Sequence, residues 1–195
     1  KSCNAASYCR NGVCLERCPD HAWGYKNSRC KNLGRNLVTK NHVSCSASLG
    51  NSKTKGCINV VQGYSGHMQT TGKLRINMNH KFNLARHIRF VNLNLVKSLK
   101  HLPCSMSFYD ENGKEVWHWN GYLNPNPYIK VNGVDLKKAI SFRSFEIRTT
   151  TNLLNLTDVE LFGKKLSDFG GRCQLSNDCR TGALCRSSKC IRKSS

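Results

Sequence analysis

The sequence predicts an all-β protein built around an antiparallel sandwich or barrel, with a small disulfide-rich module at each end. Three observations predict it. Apolar and polar residues alternate over short runs, turn formers separate those runs, and cysteines crowd toward both termini. The run Ile140–Gly163 is the organising stretch. Val159 and Leu161 alternate with Asp158 and Glu160, the period-2 pattern of a strand with one dry face and one wet face. Ile140 and Phe142 share one phase, and Phe145 and Ile147 share the opposite one. That shift predicts a bulge or bend at Ser144, and the threonine- and asparagine-rich turn that follows suggests a closing pair of strands.

A chain of 195 residues with 38% hydrophobic content is long enough for one sizeable core. It has no apolar run near the ~18 residues that cross a bilayer. Lys1-Ser2-Cys3 reads as the start of a mature chain after removal of a leader. The twelve cysteines fall at Cys3, Cys9, Cys14, Cys18, Cys30, Cys45, Cys57, Cys104, Cys173, Cys179, Cys185 and Cys190, without the paired Cys-x2-Cys of a zinc ribbon. Disulfides in a secreted, extracellular setting (cell surface, matrix or virion exterior) are therefore expected, with no metal and no cofactor. Lys and Arg number 31 against 11 Asp and Glu, and the excess is spread along the chain: +5 over residues 1–35, +9 over 36–163 and +6 over 164–195. A distributed positive field suits sulfated glycans, acidic lipid or acidic protein surfaces.

Residues 1–35 hold five cysteines, with turn formers at Asn11-Gly12 and Pro19-Asp20, and read as a loop-rich module. Trp23 and Tyr25 are expected to pack against the neighbouring domain. From Asn36 the texture changes. Leu74, Ile76 and Met78 alternate with Lys73, Arg75 and Asn77 as a half-buried strand; Ile88 and Phe90 resume after NHKFNLAR, which reads as a turn. Met106 and Phe108 lead into Asp110-Glu111-Asn112-Gly113, and Val116–Trp119 lead out, a hairpin. YLNPNPYIKVNG reads as a Pro/Asn loop, and NLVKSLKHL is the best helix candidate, with a poor period.

Taken together, NLVTKNHVSCSASLGN, GCINVVQG, KLRINMNHKFNLARHIRF, SMSFYDENGKEVW and FEIRTTTNLLNLTDVELFG resemble, in order, five segments of the discoidin family, the coagulation-factor C-type domains among the galactose-binding-like jelly rolls. The resemblance covers residues 36–163 and implies a jelly-roll β-sandwich there, with cysteine-rich modules at 1–35 and 164–195. It also implies that ligands meet the loops at one end, which suggests Tyr64, His67 and Gln69. Where the family often carries an Asp that helps hold calcium, this chain has Gln62, and it lacks the Arg-x-Asp motif of fucose-binding members. Neither calcium nor fucose carries over. Cys173, Cys179, Cys185 and Cys190 repeat the flavour of Cys3, Cys9 and Cys14. If the last module closes on itself and every cysteine pairs, one bond is expected between residues 1–35 and 36–163.

Catalysis has little support. The seven histidines form no HExxH pattern, and no G-x-S-x-G elbow is present. Trp117 and Trp119 share one strand face and are expected in the core. Lys73, Arg75, Arg86, Arg89, Arg143 and Arg148 are expected to line a wet sheet face that contacts anionic groups, with Lys97 and Lys100 as a second cluster. Asn155-Leu156-Thr157 is a glycosylation sequon, usable if its loop is exposed. The function expected is that of a secreted, non-catalytic binding or adhesion protein for carbohydrate or an anionic surface. Its partner is a glycan or an acidic surface rather than nucleic acid. The alternative is a structural component of an extracellular coat, matrix or virion surface that meets neighbouring copies of itself, and a hydrolase is a third reading.

Overall fold

A computed structural model describes residues 7–10, 13–16, 22–23, 31–32, 34–47, 56–62, 68–70, 72–92, 102–123, 130–149 and 154–194. Strands β1 (Ser7–Arg10) and β2 (Val13–Glu16) pair as a hairpin, and β3 (Ala22–Trp23) pairs with β4 (Lys31–Asn32). β5 (Arg35–Asn36) and β6 (Val43–Ala47) follow, then a short 3-10 turn at Cys57–Val60 and β7 (Met68–Thr70). The long strands are β8 (Lys73–Met78), β9 (Asn83–Asn92), β10 (Leu102–Tyr109), β11 (Glu115–Leu123), β12 (Lys130–Phe142), β13 (Ser144–Arg148) and β14 (Leu154–Lys165). β15 (Ala183–Arg186) and β16 (Lys189–Arg192) form the last hairpin.

Two antiparallel sheets face each other. One has the order β11-β10-β13-β8-β6 and the other β12-β9-β14-β5, with β7 also on β14. The alternation read in the sequence becomes the shared core. Leu74, Ile76 and Met78 of β8, Met106 and Phe108 of β10, and Phe145 and Ile147 of β13 face Ile88 and Phe90 of β9 and Val159 and Leu161 of β14. All are buried, and each large side chain so placed contributes roughly 1.5–3 kcal/mol. This is the antiparallel jelly-roll sandwich expected from the sequence.

The phase shift at Ser144 is a change of sheet. β12 ends at Phe142 in one sheet, Arg143 forms a bend, and β13 begins at Ser144 in the other. The closing pair expected at 140–163 is therefore not a pair: β13 lies between β10 and β8, while β14 pairs with β9. A strand that switches layers must reverse the phase of its apolar face, and the two sets of residues do so. The turn before Ile88 is also shorter than expected, because β9 already begins at Asn83. Arg86 is the residue skipped in the β9–β14 register, between His87↔Phe162 and Ala85↔Gly163, so a β-bulge extends the strand through the apparent turn. YLNPNPYIKVNG is likewise not all loop, since β11 runs to Leu123 and β12 starts at Lys130. The helix candidate ends at Leu102, the first residue of β10, and its residues 94–101 lie outside the described residues, as does Tyr25.

Cys45 bonds Cys57, tying β6 to the 3-10 turn, and the last cysteines pair as Cys173–Cys185 and Cys179–Cys190. Each closes a short loop and removes unfolded-state entropy worth about 2–3 kcal/mol. Cys104 departs from the expectation that every cysteine pairs, since it is a free thiol. Its strand position turns it inward with Met106 and Phe108, leaving 5% of its surface exposed, and Cys45 is already bonded to Cys57. Burial pushes the thiol up to about 12, so it is unreactive in the folded protein.

Two consequences are measurable. Iodoacetamide should leave Cys104 unmodified in the native protein at pH 8 and label it once the chain is unfolded without reductant, as read by peptide mass spectrometry. A Cβ added at Gly163 would sit 1.7 Å from the Leu84 carbonyl oxygen, where β14 and β9 approach at the bulge. Gly163→Ala should lower stability by about 2–3 kcal/mol in urea unfolding.

Candidate functional site

The registers bring the ends of most strands to one end of the sandwich. Ala47 is opposite Leu74, Lys73 opposite Arg148, Leu102 opposite Leu123, Lys130 opposite Asn92, and Leu154 opposite Thr70. The chain leaves the described strands there after Ala47, Asn92, Leu123 and Arg148. The opposite end carries tight turns at Lys40–His42, Asn79–Lys81 and Asp110–Lys114, together with the exit of β14 toward the C terminus. The end with the tight turns is the closed end, and the end where the described strands part is the open end. Of the residues suggested for ligand contact, Gln69 lies on β7 opposite Asn155, while Tyr64 and His67 lie outside the described residues.

Next to this end, the outer face of the β10–β13–β8 sheet holds a charge cluster around Glu146. Only 3% of Glu146 is exposed, on a face it shares with the part-exposed Lys73, Arg75 and Arg148. Tyr109 donates its hydroxyl to Glu146 Oε2 at 2.7 Å, and Lys73 Nζ lies 3.3 Å from Oε1. Arg75 and Arg148 approach at 3.9 Å each. Burial alone would raise this carboxyl, but the Tyr109 hydrogen bond and the cations of Lys73 and Arg148 outweigh it and hold it below its ordinary value. Tyr109 moves the other way, raised by burial and by its carboxylate neighbour.

The adjoining row contains Ser107, His118 and Glu115. Ser107 Oγ donates to Glu115 at 2.8 Å, lies 3.0 Å from His118 Nδ1, and accepts from Arg148 Nη2 at 2.7 Å. A serine beside a histidine and a carboxylate has the composition of a hydrolytic site. Ser107 is 0% exposed, however, and its contacts tie β10, β11 and β13 together across the sheet face.

The predicted cations do not share one face. Lys73, Arg75 and Arg148 meet at Glu146, whereas Arg86 and Arg89 lie on β9 in the other sheet. Arg89 pairs with Glu160 and stacks 5.4 Å from the Phe162 ring centroid. Beside this pair, burial and then the neighbouring Glu160 carboxyl raise Asp158 well above a normal carboxyl. Arg143 sits at the closed end, at the bend between sheets, with its Nε donating to the Met78 carbonyl at 2.8 Å. Lys97 and Lys100 lie outside the described residues. Sequence alternation identifies which residues face outward but not which sheet each strand joins, and this separates the set. Glu146 itself was missed; the signal was a lone acidic residue in SFEIR, opposite a strand with Lys73 and Arg75.

Gln62, at the family's acidic position, joins a neutral amide clamp. Asn36 Nδ2 donates to Gln62 Oε1 at 2.9 Å, and Asn36 Oδ1 accepts from Val38 N at 3.0 Å and Leu161 N at 3.2 Å. The sequon residue Asn155 is in strand β14 rather than in a loop, because the strand begins at Leu154. Trp117 and Trp119 pack against the core from edge strand β11, and the indole of Trp119 fills the space that a Cβ on Gly121 would need. Among the described residues the one gathering of metal-type ligands is Cys173, Cys179 and Cys190, all oxidised in disulfides.

The two facing sheets make a jelly-roll β-sandwich, a fold that solved carbohydrate-binding modules share. Among solved structures, the sandwich is similar to a family 32 carbohydrate-binding module of NanJ from C. perfringens in complex with galactose. The TM-score is 0.53 at 12% identity, over 65% of this chain and 98% of that one. It is also similar to a Streptococcus pneumoniae fucose-binding module (TM-score 0.51, 15% identity, 67% and 96% covered). A third likeness is to the lectin domain of lectinolysin complexed with Lewis B antigen (TM-score 0.52, 16% identity, 67% and 97% covered). No protein-family model and no curated protein matches the chain.

The Glu146 cluster predicts a pH dependence. The depressed carboxyl adds stability that is fully present above its unfolded value of 4.5 and is lost as pH falls through the lower folded value. Glu146→Gln should cost about 2–3 kcal/mol at pH 7, the low end for a broken buried pair because the cations are part-exposed. It should also flatten the decline in unfolding free energy below pH 4.5, measured by urea titration at stepped pH.

Proposed function

We propose that this chain is a secreted, non-catalytic carbohydrate-binding protein that takes its ligand at the open end of the sandwich. The observation that carries the reading is the convergence of strand ends there, in a fold shared with modules described as binding fucose and galactose. Lys73 and Arg148, opposite each other at that rim, add a cationic border that favours acidic glycans. The family residue sets for calcium and fucose are absent, so recognition rests on this chain's own loop residues, with Tyr64, His67 and Gln69 as contacts. Three regions divide the labour: a cysteine-rich module at 1–35, the sandwich at 36–163 and a cysteine-rich module at 164–195. The inaccessible Ser107 supports a role without turnover.

The test is a glycan array probed with the full chain at physiological salt. Retention of a defined subset of glycans, unchanged in mass after incubation, is expected. His67→Ala with Gln69→Ala should weaken that binding by about tenfold, the loss of one or two polar contacts. Absence of binding across the array, or cleavage of a bound glycan, would overturn the proposal.

A further inference from the structure

The last hairpin and the chain that leads into it enclose a second concave surface. An open groove of about 660 Å³ is walled by the end of β14 and Ser167, by Arg172–Gln174, and by the turn Ser187–Lys189. Its size is that of a small-molecule site. Two disulfides, Cys173–Cys185 and Cys179–Cys190, lock those walls together, so the shape exists before any ligand arrives.

The charge inside is one-sided. Lys165, Arg172 and Lys189 line the groove, all three exposed. Asp178 is the lone carboxylate on its wall, and it is already satisfied. Lys164 Nζ donates to it at 2.7 Å, and the backbone N–H groups of Gln174 and Leu175 donate at 2.9 Å each. The other acid of residues 164–195, Asp168, is taken by Arg180 at 3.1 Å, which also reaches Glu111. The three groove cations are therefore left without a carboxylate among the described residues. Beside them stand the hydroxyls of Ser187 and Ser188. Both serines hold a left-handed backbone, φ 48° and 62°, in a turn where Asn or Gly is the easier choice. Conformations of this kind persist where the surroundings fix them, and here Ser188 O accepts from Cys173 N at 3.1 Å.

We propose that this groove binds the sulfate groups of a sulfated glycan, with Lys165, Arg172 and Lys189 as the cationic contacts and the serine hydroxyls as sugar-facing donors. A concave site with cations on three walls surrounds a chain-borne anion, whereas a flat anionic membrane meets a protruding basic face. The site lies at the closed end of the sandwich, and its cations do not overlap the loop residues proposed above, so it stands or falls apart from them.

The test uses calorimetry with the full chain and a heparin-derived hexasaccharide, its desulfated counterpart, and phosphatidylserine-containing vesicles. The sulfated hexasaccharide should bind, more weakly as salt is raised. The desulfated form and the vesicles should not. The variant K165A/R172A/K189A should lose about tenfold in affinity, as expected for three exposed ion pairs. K114A/K137A/K138A, an equal charge loss on exposed positions elsewhere, should change it by less than about twofold. K165R/K189R should retain binding, which separates lost contacts from a lost fold. Equal losses in both alanine triples, unchanged binding in K165A/R172A/K189A, or binding to vesicles without the hexasaccharide would each overturn the proposal. If the loop variant H67A/Q69A abolishes hexasaccharide binding while K165A/R172A/K189A keeps it, the anion sits at the open end and the groove proposal falls.

Discussion

The sandwich depends on the contact between Phe142 and Phe108 across its two layers. Phe142 closes β12 in one sheet, and its ring centroid lies 4.7 Å from that of Phe108, on β10 in the other. Phe145 at 5.0 Å and Trp117 at 5.2 Å complete the cluster around Phe108. The chain crosses between layers at Arg143, within three residues of both Phe142 and Phe145. One covalent corner and one aromatic cluster thus set the spacing and angle of the sheets together. The Arg143 backbone is held on both sides, by Tyr109 O at 2.7 Å and Met78 N at 3.1 Å, so the corner has little freedom.

Much of this was legible in the sequence, and each departure has a physical cause. The alternation in Leu74–Met78, Met106–Phe108 and Val159–Leu161 names the buried residues because a strand's side chains have a strict period of two. The same alternation carries no information about which strands are neighbours. It therefore detected a break at Ser144 without showing that the chain changes layers there, and it grouped Arg75 with Arg89, which belong to different sheets. The bulge at Arg86 hid the start of β9, since a skipped residue breaks the period that identifies the strand. Cysteine parity assumed complete pairing, but whether a thiol pairs is decided by burial and geometry, and Cys104 points into the core. The carboxylate at Glu146 and the groove beside Lys189 depend on residues far apart in the chain, beyond the reach of any local pattern.

Several acids among the described residues are committed to fixed cationic partners. Glu146 gathers Lys73, Arg75 and Arg148; Glu160 holds Arg89; Asp178 holds Lys164; and Asp168 and Glu111 share Arg180. Arg180 is also stacked 4.0 Å from the Phe82 ring and 4.6 Å from Phe169, which fastens the last disulfide-bonded segment against the turn that precedes β9. Each such pair neutralises one base, so the net charge of +20 is carried by the bases in excess of these contacts.

Strand β14 begins at Leu154 beside the open end and finishes at Lys165 on the wall of the basic groove. Twelve residues of extended chain, hydrogen-bonded to β9 through most of their length, form a strut of roughly 35 Å. Anything gripped at its two tips is held apart at a fixed distance and on opposite sides of the molecule. With both proposed sites filled, the strand would act as a rigid spacer between two bound polymer chains.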